Sequence, residues 1–415
     1  MNSPSYTDQQ TETDTQNKRP LSLMVGLATG HSVKHFYQQA FLLLLPYVKD
    51  FLALSDVGIG VLGAVRTLSG ALINIPAGIV SDIWRTHVGL MLTTSLTCIA
   101  IGYLLIGTTP NYWLLLIGVT IVGCGASFWH APAFGTLASA YPNRKATAFA
   151  VHRVGGSFGD STAPMITGLL LGGFAFWGFE WVGLEWQTLA LIMVIPALVA
   201  AVSVFLAFRK IEGGGRNIPN FSTYMLSAKA MLTNSTVLGM VVLSGVRSMV
   251  HSALTIFLVI YMSEDLNFSD ANIGFHVSLL TLLGIASSPL MGLASDKFNR
   301  RGIIFFSLTG LTILNGCLLY FDSGLGFTVI LACIGIFLYS VNPIMMATAI
   351  DATKKGAESS GVAFMFTGGS ILGALSPILA GQLRQTFGMD AVFIYTTVIL
   401  TIVTIGSLLV PMKRN

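Results

Sequence analysis

The sequence predicts an all-α membrane protein whose twelve transmembrane helices form two pseudo-symmetric six-helix bundles. Three observations lead to this prediction: the composition, the number of apolar segments and an internal repeat. Of 415 residues, 53% are hydrophobic and only 10% are charged, and the mean hydropathy is +0.75. Soluble domains carry about 25% charged residues. The shortage of charge therefore indicates a chain that crosses a membrane many times.

The apolar segments give the number of spans. A transmembrane helix needs about 20 mostly apolar residues. Twelve such segments occur, near residues 22–48, 57–80, 88–108, 112–139, 147–172, 188–208, 234–262, 272–294, 302–321, 325–349, 358–382 and 391–411. They divide the chain into a first bundle, 21–208, a cytoplasmic linker, 209–233, and a second bundle, 234–411. Residues 1–20 are polar and are expected to form a disordered cytoplasmic tail.

The basic residues predict the orientation, because lysine and arginine are retained on the cytoplasmic side of a membrane. With the N-terminus inside, 16 of the 22 basic residues fall in inside segments. Only Lys49 and Arg384 fall in outside loops. The other four lie within predicted helices: Lys34, Arg66, Arg153 and Arg247. We expect a multi-pass protein of a cell membrane, such as the bacterial inner membrane, with both termini in the cytoplasm.

The two halves of the chain are repeats of each other. Three motifs recur at an offset of 213 or 214 residues: SDVGIG (Ser55–Gly60) as SDANIG (Ser269–Gly274), GIVSD (Gly78–Asp82) as GLASD (Gly292–Asp296), and GGSFGDSTAP (Gly155–Pro164) as GGSILGALSP (Gly368–Pro377). A duplicated six-helix unit places a substrate site near the bilayer midplane, where the halves meet.

The duplicated loop after the second and eighth segments resembles the signature of the major facilitator superfamily. GLASDKFNRR (Gly292–Arg301) fits that signature except at Asn299, whereas GIVSDIWRTH (Gly78–His87) keeps the glycine and the aspartate and has its arginine displaced. The resemblance implies the fold of that superfamily and a gate at these loops, formed by Gly78, Asp82, Arg85, Gly292, Asp296, Lys297, Arg300 and Arg301. The alternative is a charged loop that only sets the topology.

A second resemblance is narrower. FWHAPA (Phe128–Ala133) and HRVGGSFGDSTAP (His152–Pro164) are similar to paired segments of fosmidomycin-resistance-type exporters of the same superfamily, which implies export. Small residues let membrane helices approach closely, and a bend at proline is tolerated there. We therefore expect the fifth helix to pack tightly against a neighbour through Gly155, Gly156, Gly159 and Pro164.

Charged groups within the spans are the main candidates for substrate binding, since each costs about 2.5–3.5 kcal/mol at a helix centre. Lys34 and Arg247 are 213 residues apart, so we expect them to face each other across the site and bind an anion. Polar residues at helical spacing accompany each of them: His31, His35 and Gln38 in the first segment, and His251 in the seventh. Alternatively, the first stripe packs against polar neighbours.

Further candidates lie in other spans. Arg66 and His130 are expected to contact substrate, although for each a purely structural role is an equal or nearly equal alternative. Proton coupling requires a group that titrates as its exposure changes, and a histidine or a buried aspartate meets that requirement. We expect Asp160, His35 and His130 to bind and release the coupling proton. The alternative for Asp160 is a fixed counter-ion for a cation such as Arg153.

These patterns predict a secondary active transporter, a proton-coupled antiporter that exports a small anionic or amphiphilic molecule by alternating access. The alternative is an importer or exchanger of an organic anion, a phosphate ester or carboxylate, with the same fold. A sensor is disfavoured because it would usually need a soluble output domain, and an intramembrane enzyme because the histidines show no HExxH pattern. The absence of a GxxxxGK[ST] loop disfavours transport driven by ATP. We expect a monomer in the lipid bilayer that binds its substrate and protons, with no catalytic residues, metal ion, cofactor or nucleic acid.

Overall fold

The computed structural model describes residues 21–211, 233–353 and 358–412. The predicted tail, 1–20, and most of the linker, 209–233, lie outside the described residues. The first half contains α1 (Leu21–Phe51), α2 (Asp56–Ile83), α3 (Val88–Gly107), α4 (Tyr112–Phe128), α5 (His130–Ala140), α6 (Lys145–Gly172) and α7 (Trp186–Phe208), with a single 3-10 turn at Arg85–His87. A short hairpin, β1 (Phe174–Phe176) and β2 (Phe179–Trp181), joins α6 to α7.

The second half is built from helices alone in the described residues: α8 (Ser235–Glu264), α9 (Asp270–Lys297), α10 (Arg300–Cys317), α11 (Gly324–Asp351), α12 (Glu358–Phe387) and α13 (Met389–Leu409). Each helix of this half covers one predicted segment, with ends that differ by a few residues. Across the described part of the chain, nine helical spans are long and apolar enough to cross a membrane. The other three long helices, α1, α6 and α10, carry several charged or polar residues. The fold class is confirmed as all-α and membrane-spanning.

The fourth predicted segment forms one span, Tyr112–Ala140, in which the helix is interrupted at a single residue. α4 ends at Phe128 and α5 begins at His130, with Trp129 between them. Pro132 explains the break, because a proline ring clashes with the carbonyl group four residues earlier in a helix. Trp129 is fully buried and lies against Gly30 of α1, where a methyl group would stand 2.2 Å from the indole ring. The ring of Trp129 thus packs into the first helix from a residue whose own backbone angles are helical, φ −59° and ψ −38°.

The hairpin was not predicted. Phe174 pairs with Trp181 and Phe176 with Phe179 in antiparallel register. Trp177 and Gly178 form the turn, and both have positive φ angles, 49° and 82°. A two-residue turn with positive φ at both positions matches the right-handed twist of the flanking strands. The segment is rich in aromatic residues, which favour strands, but it is too short to show an alternating pattern.

The two halves meet through contacts that repeat with the sequence. A methyl group on Gly60 of α2 would stand 2.3 Å from the carbonyl oxygen of Pro377 in α12. Gly274 of α9 holds the equivalent position in the second half, and its methyl group would stand 2.4 Å from the carbonyl oxygen of Pro164 in α6. The two contacts are therefore related by a pseudo-two-fold axis.

A second pair of contacts obeys the same symmetry. A methyl group on Gly381 would stand 2.4 Å from the carbonyl oxygen of Asp56, and one on Gly168 would stand 2.3 Å from that of Asp270. All four contacts lie near the end of the molecule where α1 ends and α2 begins. We refer to this as the closed end, and to the opposite end, where α1 begins, as the open end.

Candidate functional site

A cavity of about 320 Å³ lies between the two halves. Five residues that the sequence predicted for substrate binding or proton coupling line it: His35, Gln38, Arg66, Asp160 and His251. Helices of both halves contribute to its walls, as the duplicated architecture requires. The cavity is thus the position at which both bundles can contact one bound molecule.

The cavity extends from the middle of the molecule toward the open end. On α11 its wall is formed by Tyr339, Asn342 and Met346, spaced i, i+3 and i+7 along the last half of that helix. On α12 the wall includes Phe366 and Ser370, in the first half of the helix. Because α11 ends and α12 begins at the open end, a molecule can enter from that side.

At the closed end, charged residues of the two halves form a network: Lys49, Asp56, Glu264, Asp265 and Arg384. The ammonium group of Lys49 is 2.7 Å from a carboxylate oxygen of Asp56 and 2.7 Å from one of Glu264. Arg384 donates to Asp56 at 2.8 Å, to Glu264 at 3.0 Å and also to Asp265. We call this set the closed-end network.

The closed-end network joins the halves. Lys49 and Asp56 belong to the first half, and their partners Glu264 and Arg384 to the second. Close by, the hydroxyl of Tyr47 donates to Asp270 at 2.6 Å, again across the interface. In the sequence Lys49 and Arg384 are only exceptions to the charge bias, and the partners of Arg384 lie at least 119 residues away from it along the chain.

A hydrogen-bonded chain runs from α6 through α1 to the cavity. His31 Nδ1 donates to the carbonyl oxygen of His152 at 2.8 Å, and its Nε2 is 3.1 Å from Nε2 of His35. His35 Nδ1 lies 2.9 Å from Oδ1 of Asp160, which also accepts from the side-chain amide of Gln39 at 3.2 Å. Gln39 was not predicted for the site. We call His31, His35 and Asp160 the proton chain.

Glycines of α6 permit this chain by letting α1 come close. A methyl group on Gly155 would stand 2.1 Å from the carbonyl oxygen of Ala28, and one on Gly159 would stand 2.1 Å from that of Ser32. At Gly156 the methyl group would meet the ring of His31 at 2.6 Å. The helices therefore approach at the level of the proton chain, where larger residues would separate them.

Lys34 and Arg247 are placed differently from the prediction. Both are buried, with 1% and 5% of their surfaces exposed, and neither is among the residues that line the cavity. Lys34 donates to Nε2 of His130 at 2.9 Å, and Arg247 donates to the carbonyl oxygen of Leu338 at 2.9 Å. The predicted cation pair does not face the cavity in this conformation, because each cation has an acceptor inside its own half.

Three imidazoles come together beside the chain. Nitrogens of His31, His130 and His152 lie within 4.8 Å of one another. Both nitrogens of His31 are already hydrogen bonded, and the ammonium group of Lys34 contacts His130. A metal ion bound here would have to break those hydrogen bonds, and it would lie next to the positively charged ammonium group of Lys34. The donor set therefore does not fit a metal ion in this arrangement.

The comparisons with known proteins decide the family. The description "Major Facilitator Superfamily" belongs to the profile that matches residues 27–261 and 240–414. The chain is a member of the major facilitator superfamily. The first match covers the first half and continues through most of α8, and the second match lies within the second half. The family resemblance drawn from the loop motifs is thereby confirmed.

Relatives within the superfamily agree in length and fold. The fosmidomycin resistance protein of Escherichia coli (strain K12) is 20% identical over 385 residues, which cover 91% of this chain and 90% of that protein. A bacterial homolog of the human lysosomal transporter Spinster, solved inward-facing and unoccupied, superimposes with a TM-score of 0.80 at 16% identity, covering 94% and 96% of the two chains. A variant of the nucleoside transporter NupG gives 0.79 at 12% identity, covering 94% and 99%.

The superfamily's loop motif lies at the open end. Arg300 donates to Asp296 at 3.1 Å and also to Asp351, while Arg301 donates to the carbonyl oxygen of Val410 at 2.7 Å. All these partners belong to the second half. The Lys297 ammonium lies 5.8 Å from the centre of its neighbour's ring, Phe298.

The glycines of the two loop motifs do not meet another helix in this conformation. A methyl group on Gly78 or on Gly292 would have no other atom within 4 Å. Among the described residues, these two glycines therefore form no close contact with a neighbouring helix in this conformation. The side chains of Asp82 and Arg85 lie outside the described part of the structure.

Proposed function

We propose that this chain is a proton-coupled antiporter that exports a small anionic or amphiphilic molecule by alternating access. The observation that carries the proposal is the contact between His35 and Asp160 in the wall of a cavity between the two halves, whose lining extends toward the open end. A carboxylate and an imidazole at such a place can bind a proton and release it when the exposure of the cavity changes.

The cavity wall supports the substrate class. Arg66 is the single lysine or arginine that lines it among the described residues. One guanidinium nitrogen donates to the carbonyl oxygen of Gln38 at 2.8 Å, which leaves further donors for an oxyanion. Met346 and Phe366 supply apolar surface to the same cavity. An anion with an apolar portion could accept hydrogen bonds from Arg66 and pack against the apolar surface of Met346 and Phe366.

The bias of basic residues in the sequence supports an orientation of the protein in the membrane. If both termini are cytoplasmic, the closed end faces outside and the cavity opens to the cytoplasm. The conformation is then inward-facing, and substrate enters the cavity from the cell interior. Protons moving inward down their gradient would drive its exit. On this basis we place the protein in a bacterial inner membrane as a monomer, with substrate, protons and lipid as its partners.

An importer or exchanger of a phosphate ester or carboxylate is the second candidate. The observation that favours it is the excess of cations around the middle of the molecule. Lys34 and Arg247 are buried there, and Arg66 lines the cavity. The acid in the cavity wall is Asp160, so the cations are in excess. We propose that Lys34 and Arg247 reach substrate only when another conformation releases them from His130 and Leu338. The same two-state protein can run in either direction.

Uncoupling by Asp160→Asn tests the proposed function. In lipid vesicles with an imposed pH gradient, screened with a panel of anionic compounds, we expect the native protein to concentrate its substrate about tenfold per pH unit for each proton exchanged. The variant is expected to show no concentration, while exchange of labelled for unlabelled substrate continues. Asp390→Asn, at the start of α13, is the matched control. Unchanged pH-driven accumulation in Asp160→Asn would contradict proton coupling at this residue.

Removal of the cavity cation tests the substrate class. We expect Arg66→Gln to weaken the binding of an anionic substrate by about tenfold to 100-fold, the effect of losing a charged hydrogen bond of 1.5–3 kcal/mol. The affinity is measured by competition in the exchange assay, with a neutral analogue of the same shape as the control ligand. Equal loss for the anion and the neutral analogue would show that Arg66 serves the fold and not the charge of the substrate.

A further inference from the structure

The hydrogen bonds of the proton chain allow its protons to be counted. We infer that His31, His35 and Asp160 together hold one proton more than two neutral imidazoles and a carboxylate would carry. This inference rests on the proposed function and deepens it, because it assigns the coupling proton to one conformation. The conformation with the closed end sealed and the cavity open is then the proton-loaded one.

The first proton of the proton chain lies on His31, its buried member. The carbonyl oxygen of His152 can only accept a hydrogen bond, so Nδ1 of His31 must carry a proton. This contact is 2.8 Å long, and His31 has 5% of its surface exposed. A backbone carbonyl therefore fixes the first proton independently of pH in the ordinary range. The Nε2 atom of His31 is left to face His35.

The second and third contacts each require one proton. The Nε2 atoms of His31 and His35 are 3.1 Å apart, and two unprotonated ring nitrogens at that distance would repel. Nδ1 of His35 and Oδ1 of Asp160 are 2.9 Å apart, and both are acceptors unless one is protonated. Three contacts thus hold three protons. Two neutral imidazoles and an ionised carboxylate supply only two.

The position of the extra proton follows from Gln39. The amide of Gln39 donates to the same oxygen of Asp160 that faces His35, which favours a carboxylate that accepts two hydrogen bonds. The simplest arrangement is then a doubly protonated His35 paired with an ionised Asp160, while His31 stays neutral. The loading step transfers one proton from water to a neutral His35 and changes no other covalent bond of the protein. Its loss leaves one ring nitrogen of His35 bare, so either the 2.9 Å contact with Asp160 or the 3.1 Å contact with His31 must break.

Other charged and titratable groups surround this pair on several of the helices that pack near it. Lys34 belongs to α1, Arg66 to α2, Arg153 to α6 and His251 to α8, and all four interact electrostatically with Asp160. The remaining groups near it are Tyr339 of α11, and His130 and His152 beside His31. The cations stabilise an ionised Asp160. They oppose a proton on His35 unless the carboxylate stays paired with it.

Nitrogen-15 NMR of the histidine rings tests the count without any substrate. The protein is labelled at its seven histidines, placed in lipid vesicles at neutral pH, and its ring signals are assigned with single-histidine variants. We expect both ring nitrogens of His35 to be protonated, and His31 to be neutral with its proton on Nδ1. Infrared spectroscopy gives the second readout, because a protonated Asp160 with a neutral His35 has the same proton count and would show a carboxylic acid band.

The controls separate this inference from the proposed function. Asp160→Asn is expected to abolish the doubly protonated signal of His35 at the same pH. His276, which bonds the carbonyl of Asn272 and the hydroxyl of Thr328, is expected to stay neutral in both proteins. A neutral His35, bare at either ring nitrogen, together with a neutral His31 and an ionised Asp160 would overturn the count, even if pH-driven transport is observed. Loss of pH-driven transport with the signal intact would instead overturn the proposed function.

Discussion

Replacing Arg384 with alanine is expected to open the closed end. The Arg384 side chain is 8% exposed and bonds Asp56 of the other half as well as Glu264 and Asp265 of its own. Its removal takes one of two cations from Asp56 and Glu264, which keep Lys49, and takes the arginine from Asp265. Breaking a buried pair costs about 3–5 kcal/mol. Because Lys49 remains and Glu264 and Asp265 are partly exposed, we expect no more than the lower value, and a shift of up to roughly 100-fold toward the conformation open at this end.

Distances between spin labels measure that shift. Asp50 of α1 and Phe387 of α12 are exposed near the closed end and belong to different halves, so labels there report its opening. The label sites are introduced after replacement of the four native cysteines, Cys98, Cys124, Cys317 and Cys333. Arg209→Ala, an exposed cation at the other end, is the control. Identical distance distributions for Arg384→Ala and the native protein would contradict a sealing role for the network.

Adding one methyl group at Gly155 is expected to destabilise the first bundle. The new carbon would stand 2.1 Å from the carbonyl oxygen of Ala28 and 2.7 Å from the carbonyl carbon. These are backbone atoms, so no side-chain rotation relieves the overlap and α1 must move away from α6. Overpacking of this kind costs about 1–3 kcal/mol or more. We expect a lower thermal unfolding temperature in detergent, and a larger loss for Gly155→Val.

Gly135→Ala is the matched control for that prediction. Gly135 also lies inside a helix, α5, yet a methyl group there would have no other atom within 4 Å. Alanine is favoured over glycine in a helix by about 1 kcal/mol, so the control is expected to be neutral or slightly stabilising. If Gly155→Ala and Gly135→Ala unfold at the same temperature, the close approach of α1 and α6 contributes nothing to stability.

Much of the fold could be predicted because its signals are long and repeated. Length and hydropathy locate each helix, and motifs at a constant offset, such as SDVGIG and SDANIG, indicate the duplication. The hairpin and the break at Trp129 were missed for local reasons. The hairpin strands have three residues each, and the break depends on one proline, Pro132, in a segment whose hydropathy does not change.

The site was predicted less completely than the fold. Helical spacing correctly places His31 and His35 on one face of α1, and their contact follows from that spacing. Helical spacing does not reveal the hydrogen-bond acceptor of each cation. Lys34 and Arg247 donate to His130 and to the carbonyl oxygen of Leu338, and neither lines the cavity. The closed-end network escaped prediction because its members come from four separate helix ends. Their proximity depends on how the two bundles pack, which no local pattern records.

The symmetric glycine contacts have a consequence for how this architecture arose. Gly60 meets Pro377, and Gly274, its equivalent, meets Pro164, so residue i of one half contacts residue j of the other and the reverse also holds. That reciprocity defines the isologous interface of a two-fold homodimer. The seal at the closed end is therefore one that two separate copies of a six-helix protein could form. The single polypeptide retains the interface of such a dimer. Because the linker joins the two halves, each molecule contains one copy of each.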